Sequence, residues 1–106
     1  MDIKRFIFTG DSAGGHLTHS VSFLAMLRNF RLPDGIFSFY PVFTSDVTTF
    51  FPSVMMSTDD EVLSTGFLVL VSACANRYGC DIKASPILSP LIAPDAMLRL
   101  MPKCYY

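Results

Sequence analysis

Charge is scarce in this chain. Only 16% of its 106 residues are Asp, Glu, Lys or Arg, and the net charge is -1. No Lys/Arg-rich segment occurs, so the electrostatic footprint of a nucleic-acid partner is missing. Cysteine is scarce too. Cys74, Cys80 and Cys104 form an odd set without metal-ligand spacing. They read as reduced thiols packed in a cytoplasmic protein, and neither a metal nor a cofactor is expected. Long apolar runs are absent. The longest, Gly66 to Ala75, is about half of the ~20 residues that span a bilayer, so no transmembrane segment is expected. The start, Met1-Asp2-Ile3-Lys4-Arg5, leads into an apolar stretch that Gly10 and Asp11 break too soon for a signal peptide. No N-x-[ST] sequon is present.

What remains is apolar. Hydrophobic residues make up 51% of the chain. A small domain has a large surface for its volume and needs polar residues to cover it. Residues 1–106 therefore read as one incomplete domain, a piece of a larger core.

Lys4–Thr9 is apolar on both faces, as a buried parallel strand is. Gly10–Gly15 reads as a turn, and a helix is expected from Ala13 to about Phe30. Leu17, Val21, Leu24 and Leu27 recur at helical steps on one face. Leu32-Pro33-Asp34-Gly35 stops it. Ile36–Tyr40 is a second short strand, ended by Pro41. Strand, helix, strand is a parallel βαβ unit, expected to be right-handed. Thr44–Ser57 reads as loop. Thr58-Asp59-Asp60-Glu61 looks like a capping box for a helix from Asp59 to Tyr78, with Gly79 as its stop. Ser85-Pro86, Ser89-Pro90 and Ala93-Pro94 punctuate a connector. Asp95–Leu100 suggests one or two helical turns, and Pro102–Tyr106 begins a strand. Two definite strands would leave an open edge on each side.

Gly10-Asp11-Ser12-Ala13-Gly14, followed by Gly15, matches G-x-S-x-G between a strand and a helix. In that context the motif reads as a nucleophile elbow. Ser12 would be the nucleophile, held in a strained, exposed backbone position. Small residues at Gly10 and Gly14 would allow the close packing this needs. The amide of Ala13 would face the oxyanion, with the helix dipole acting in the same sense. The rival reading is a glycine-rich βα turn of some other α/β fold. A similar string, G-D-S-G-G, occurs in chymotrypsin-type β-barrels, against which the helical face from Leu17 to Leu27 argues.

A serine needs a base. His16 and His19 lie on the helix that leaves the elbow. They read as a polar first-turn position and a helix-surface position, not as the base. Asp11 is inside the elbow and cannot orient a histidine across it. Asp59, Asp60 and Glu61 suit a first helical turn. Asp34 is a turn residue, and Asp46, Asp81 and Asp95 belong to loops.

Gly10-Asp11-Ser12-Ala13-Gly14-Gly15-His16-Leu17 resembles the nucleophile motif of the hormone-sensitive lipase family. Leu32-Pro33-Asp34-Gly35-Ile36 and Tyr40-Pro41 resemble the stretch after that motif in the family. Ser89-Pro90-Leu91-Ile92-Ala93-Pro94-Asp95-Ala96-Met97-Leu98 resembles the segment before the family's next core strand, and is the most specific of the three. The likeness spans nearly the whole chain and is weakest across Thr44–Ser57. It implies a partial α/β-hydrolase fold: parallel strands with flanking helices and an incomplete sheet. It implies a serine ester hydrolase acting on lipid esters such as acylglycerols and sterol esters. The nucleophile position falls on Ser12 and one oxyanion amide on Ala13. It also implies a cytoplasmic protein whose parent contacts lipid-droplet surfaces. The family's other oxyanion amides lie in a His-Gly-Gly-Gly loop, its acid in D-P-x-x-D and its histidine in an H-G-F-like motif. None of these strings occurs here, so the chain is expected to be an inactive internal fragment. The serine-rich insertion of mammalian members has no counterpart between Cys80 and Ser85. The alternative function is a non-catalytic truncated pseudo-hydrolase that binds lipid or a partner protein.

Overall fold

The computed structural model describes residues 4–49, 52–56 and 58–106. Strand β1 (Ile7–Asp11) runs into helix α1 (Ala13–Leu27), which returns through β2 (Gly35–Phe39). The two strands are parallel, from Ile7 opposite Gly35 to Asp11 opposite Phe39. After a long connection, β3 (Lys103–Tyr105) adds in parallel to the other side of β2. The sheet order is β1-β2-β3, so β2 is central and both neighbours are edges. The connection holds α2 (Pro52–Met56), α3 (Thr65–Ala75) and α4 (Asp95–Leu98), with 3-10 turns at Val47–Thr49 and Pro90–Ile92.

The first strand is displaced from its expected place at Lys4–Thr9. Its start is set by Asp34, whose carboxylate accepts the Phe6 amide at 2.9 Å while its own amide donates to the Phe6 carbonyl. Pairing then continues through Gly10 and Asp11, so the turn is confined to Ser12. The strand is not buried on both faces. Ile7, Thr9 and Asp11 share one face and are exposed, as are Phe37 and Phe39 beside Thr9 and Asp11 on β2.

The orientation of α1 reverses the expectation from periodicity. Leu17, Val21, Leu24 and Leu27 are all exposed, Leu17 at 58%. The face against the sheet is Gly15, Thr18, His19, Ser22 and Phe23. Its hydroxyls return their hydrogen bonds to the helix: Thr18 Oγ1 donates to the Gly15 carbonyl and Ser22 Oγ to that of Thr18, both at 2.7 Å. Satisfied in this way, short polar side chains can be buried at little cost, and they let the helix axis approach the sheet. His19, expected on the helix surface, lies on this inner face and is 3% exposed. The helix ends at Leu27, short of Phe30. Asn29 turns left-handed (φ 54°), the Phe30 amide returns to Ala25 at 2.8 Å and the Asn29 amide to Met26 at 3.2 Å, a Schellman closure.

The connection departs from expectation in two further places. Part of Thr44–Ser57 is helical rather than loop: α2 begins at Pro52, where the missing amide costs a helix nothing. Helix α3 begins at Thr65, six residues later than the capping-box reading places it. The Asp60 carboxylate takes the amides of Val62 and Leu63, closing a local turn, and Ser64 accepts the Phe67 amide as the N-cap. These two bonds hold the Asp60 carboxyl below its ordinary pKa, Leu63's amide first. The helix stops at Ala75, with Gly79 left-handed (φ 64°) in the loop beyond it. Strand β3 forms within the segment expected for it. Cys74 and Cys80 are exposed and Cys104 half-buried, so the first two are not packed in a core.

Two pairs of substitutions test this packing. A Cβ on Gly10 would lie 2.4 Å from the Gly14 carbonyl carbon and oxygen, whereas one on Gly66 meets nothing within 4 Å. Denaturant unfolding should show Gly10→Ala destabilising by about 1–3 kcal/mol or more, and Gly66→Ala neutral or stabilising by up to about 1 kcal/mol. Phe23, 1% exposed, is the largest fully buried side chain. Its truncation to Ala should cost about 3–5 kcal/mol, while Leu17→Ala should stay within about 0.5 kcal/mol. A larger loss at Leu17 would restore the apolar stripe as the packed face.

Candidate active site

Ser12 sits where β1 stops and α1 starts, at φ 48° and ψ -115°. A left-handed φ is rare for a residue with a Cβ and persists only where its surroundings hold it. Two contacts do so. On one side the Ser12 amide donates to the Phe39 carbonyl at 2.9 Å, extending the β1–β2 ladder by one bond. On the other, the first turn of α1 folds back onto β1. Gly10 meets the Gly14 carbonyl at a distance that no side chain fits. Gly15 faces Pro41, whose Cβ would lie 2.9 Å from a Cβ placed there. At Gly14 the nearest atom is Asp11 Oδ1 at 3.7 Å, an ordinary contact. The steric demand therefore falls on Gly10 and Gly15, not on Gly14.

The Ser12 side chain is exposed and makes no capping hydrogen bond to α1. Ala13 is the first residue of the helix, so its amide has no carbonyl partner four residues back. No acidic side chain stands in the first turn to offset the positive end of the dipole. A hydroxyl free of the helix thus stands next to an unused amide and a partial positive charge.

Both histidines are engaged elsewhere. His16 places Nδ1 2.7 Å from the Val42 carbonyl. His19 places Nδ1 2.9 Å from the Gly15 carbonyl and Nε2 3.3 Å from the Tyr106 hydroxyl. With Nδ1 protonated toward Gly15, Nε2 accepts from Tyr106. The His19 ring is stacked on Tyr106 and edge-on to Phe43, tying α1 to the end of β3. Burial, then the neighbouring Cys104 side chain, push the Tyr106 phenol up to about 12.

The carboxylates are local fixtures. Asp34 pairs with Arg31 at 3.2 Å. Asp46 is held below its ordinary pKa by the Thr48 hydroxyl, then by the Thr48 amide and Lys83. Asp59, Asp60 and Glu61 precede α3 rather than forming its first turn. Among the described residues no three His, Cys, Asp or Glu side chains converge as a metal site would require. No described helix is long and apolar enough to cross a membrane. A groove of about 470 Å³ runs between β1 and α1 along Ile7, Phe8, Thr9, Leu17 and Val21, and Ser12 is not part of its lining. Sequence reading missed His19 as a buried residue and overlooked Tyr40, which also has a left-handed φ (38°). The one available signal for the latter was the Tyr40-Pro41 pair itself.

A family model of the alpha/beta hydrolase fold matches residues 1–105. Hormone-sensitive lipase of Bos taurus is 39% identical over 84 residues, 78% of this chain and 11% of that protein. Carboxyl esterase 2 from the mycorrhizal fungus Tuber melanosporum superposes with a TM-score of 0.73 at 27% identity, over 92% of this chain and 32% of that one. Brefeldin A esterase, a bacterial homologue of human hormone sensitive lipase, superposes at 0.75 with 23% identity, over 92% and 29%. That last likeness speaks for the fold alone. The chain spans about a tenth of the length of the curated relative and about a third of each solved structure. With the parallel βαβ unit, the strained serine between its first strand and helix, and these likenesses together, the chain belongs to the α/β-hydrolase fold family, in its hormone-sensitive-lipase-like branch.

Proposed function

We propose that Ser12 is the nucleophile of a carboxylic ester hydrolase. The observation that carries this is its backbone, φ 48° and ψ -115°, at the head of a helix whose first amide is unused. In the proposed reaction Ser12 Oγ attacks the ester carbonyl carbon and its proton passes to a base. The carbonyl oxygen becomes an oxyanion that accepts from the Ala13 amide, a contact of the kind worth ~3 kcal/mol. Collapse breaks the carbon–oxygen bond, the alcohol leaves with the proton, and water then cleaves the acyl-enzyme. Gly10, Asp11, Gly14 and Gly15 build the turn and take no part in the bond changes.

The substrates proposed are acylglycerols and sterol esters, in a cytoplasmic protein that meets them at lipid-droplet surfaces. The name of the curated relatives, a lipase, supports lipid esters as the substrate class. Neither histidine is proposed as the base: His19 is bonded at both ring nitrogens, and His16, held at Nδ1 by the Val42 carbonyl, lies on the helix that leads away from the elbow. The 106-residue chain alone is therefore proposed to turn over little, through oxyanion stabilisation without proton transfer. A second reading, a non-catalytic binder of lipid or protein, draws on α3. Its apolar side chains Phe67, Val69, Leu70 and Val71 are exposed and none of its residues is buried.

A fluorophosphonate that reacts with activated serines separates the two. Slow labelling confined to Ser12, abolished in Ser12→Ala, is the expected result. Labelling that survives Ser12→Ala would remove Ser12 from the mechanism. Rapid labelling with steady ester turnover would show that the chain supplies its own base.

A further inference from the structure

Tyr40 stands one residue beyond the last pair of the β1–β2 ladder, Asp11 opposite Phe39, as Ser12 does on the other strand. Both residues have a left-handed φ, 48° for Ser12 and 38° for Tyr40. For a bulky aromatic this backbone is a genuine outlier, tolerated where Asn or Gly would be at ease. It is held there from both sides. The carbonyl of Phe39 accepts the Ser12 amide, and Pro41 is packed against Gly15. A following proline narrows the residue's choices further. Packing accounts for the backbone, but it does not account for the side chain. Tyr40 is 74% exposed, its hydroxyl makes no hydrogen bond and its ring no aromatic contact among the described residues. A strained residue whose side chain does nothing for the fold, at the carboxyl end of a parallel strand beside a strained serine, is placed where open α/β sheets take their ligands.

We propose that Tyr40 is a substrate-contacting residue, its ring forming a wall for the alkyl part of an ester held at Ser12. The inference rests on the nucleophile reading above for its location, and its contact needs no reaction. A flat aromatic face covers an alkyl chain without fixing its length.

The test is a titration of the intact chain with 2-octanone, an unreactive mimic of an ester carbonyl with its alkyl chain, followed by NMR. The Tyr40 ring protons and the Ser12 amide should shift together and saturate. Tyr40→Gly should weaken binding about tenfold, as expected for one lost aromatic contact, while its melting temperature equals or exceeds that of the wild type. Tyr40→Phe should bind as the wild type does. Tyr40→Asn, which also tolerates the left-handed backbone, should repeat the glycine result and guards against a turn loosened by Gly. Unchanged binding in Tyr40→Gly and Tyr40→Asn, or shifts at Ser12 without Tyr40, would overturn the proposal, as would no shift at either. Shifts at both residues in a chain whose Ser12 resists the fluorophosphonate would keep the contact and sink the nucleophile reading instead.

Discussion

Gly10 and Gly15 let two pieces of backbone meet at distances where side chains would collide. The strand that carries Gly10 touches the carbonyl of Gly14, and the helix that carries Gly15 touches Pro41 at the end of β2. Between them the chain must reverse within one residue, and Ser12 absorbs the reversal. Its amide completes the ladder to Phe39 while its φ turns left-handed. Interior packing is dense, and an added methyl group would have backbone to displace at Gly10 and the rigid Pro41 ring at Gly15. The strain at Ser12 is thus upheld by the packing on either side of it. The same closeness brings the end of β2 under tension at Tyr40, so one constraint shapes both strand ends that face the site.

The helix can lie so close because its inner face is short. Thr18, Ser22 and Ser38 are buried with their hydroxyls bonded to nearby carbonyls or to each other, and His19 bridges from Gly15 to Tyr106. Such a face has few apolar atoms. Among the described residues the fully buried apolar side chains are few, chiefly Phe23 and Ile36. Burial of large apolar side chains is the main source of folding energy, so the chain folds with a thin reserve. The complement is an outer surface rich in exposed Leu, Val and Phe, on α1 facing the β1 edge and all around α3. Composition pointed to this excess, and its placement results from the polar face taking the sheet side.

The arrangement around Ser12 depends on the turn rather than on an ionisable group. The hydroxyl, the unused Ala13 amide and the helix dipole are brought together by backbone geometry alone. Both imidazoles serve structure. His19 in particular couples the elbow, through the Gly15 carbonyl, to the strand at the far side of the sheet.

Strand, sharp turn, helix and strand were all readable along the chain, because apolar runs, glycines and Pro41 are local signals. So was the position of Ser12 at that turn, since G-x-S-x-G between a strand and a helix is a local pattern too. Boundaries were less readable. Asp34 and Asp60 hold backbone amides that a strand or helix could otherwise have used, and a carboxylate's choice of partner depends on where the backbone goes. Periodicity named a helical stripe, Leu17 to Leu27, but not the side on which the sheet would lie. Only the tertiary structure decided that, because the Gly10–Gly15–Pro41 contact fixes the helix rotation and turns Thr18, His19 and Ser22 inward. What the sequence determined by itself was the order strand, turn, helix, strand at the start of the chain and the residue at the turn, which depend on near neighbours. The burial of His19, the strain at Tyr40 and the exposure of the leucines depend on residues far apart in the chain meeting, and the fold alone arranges that.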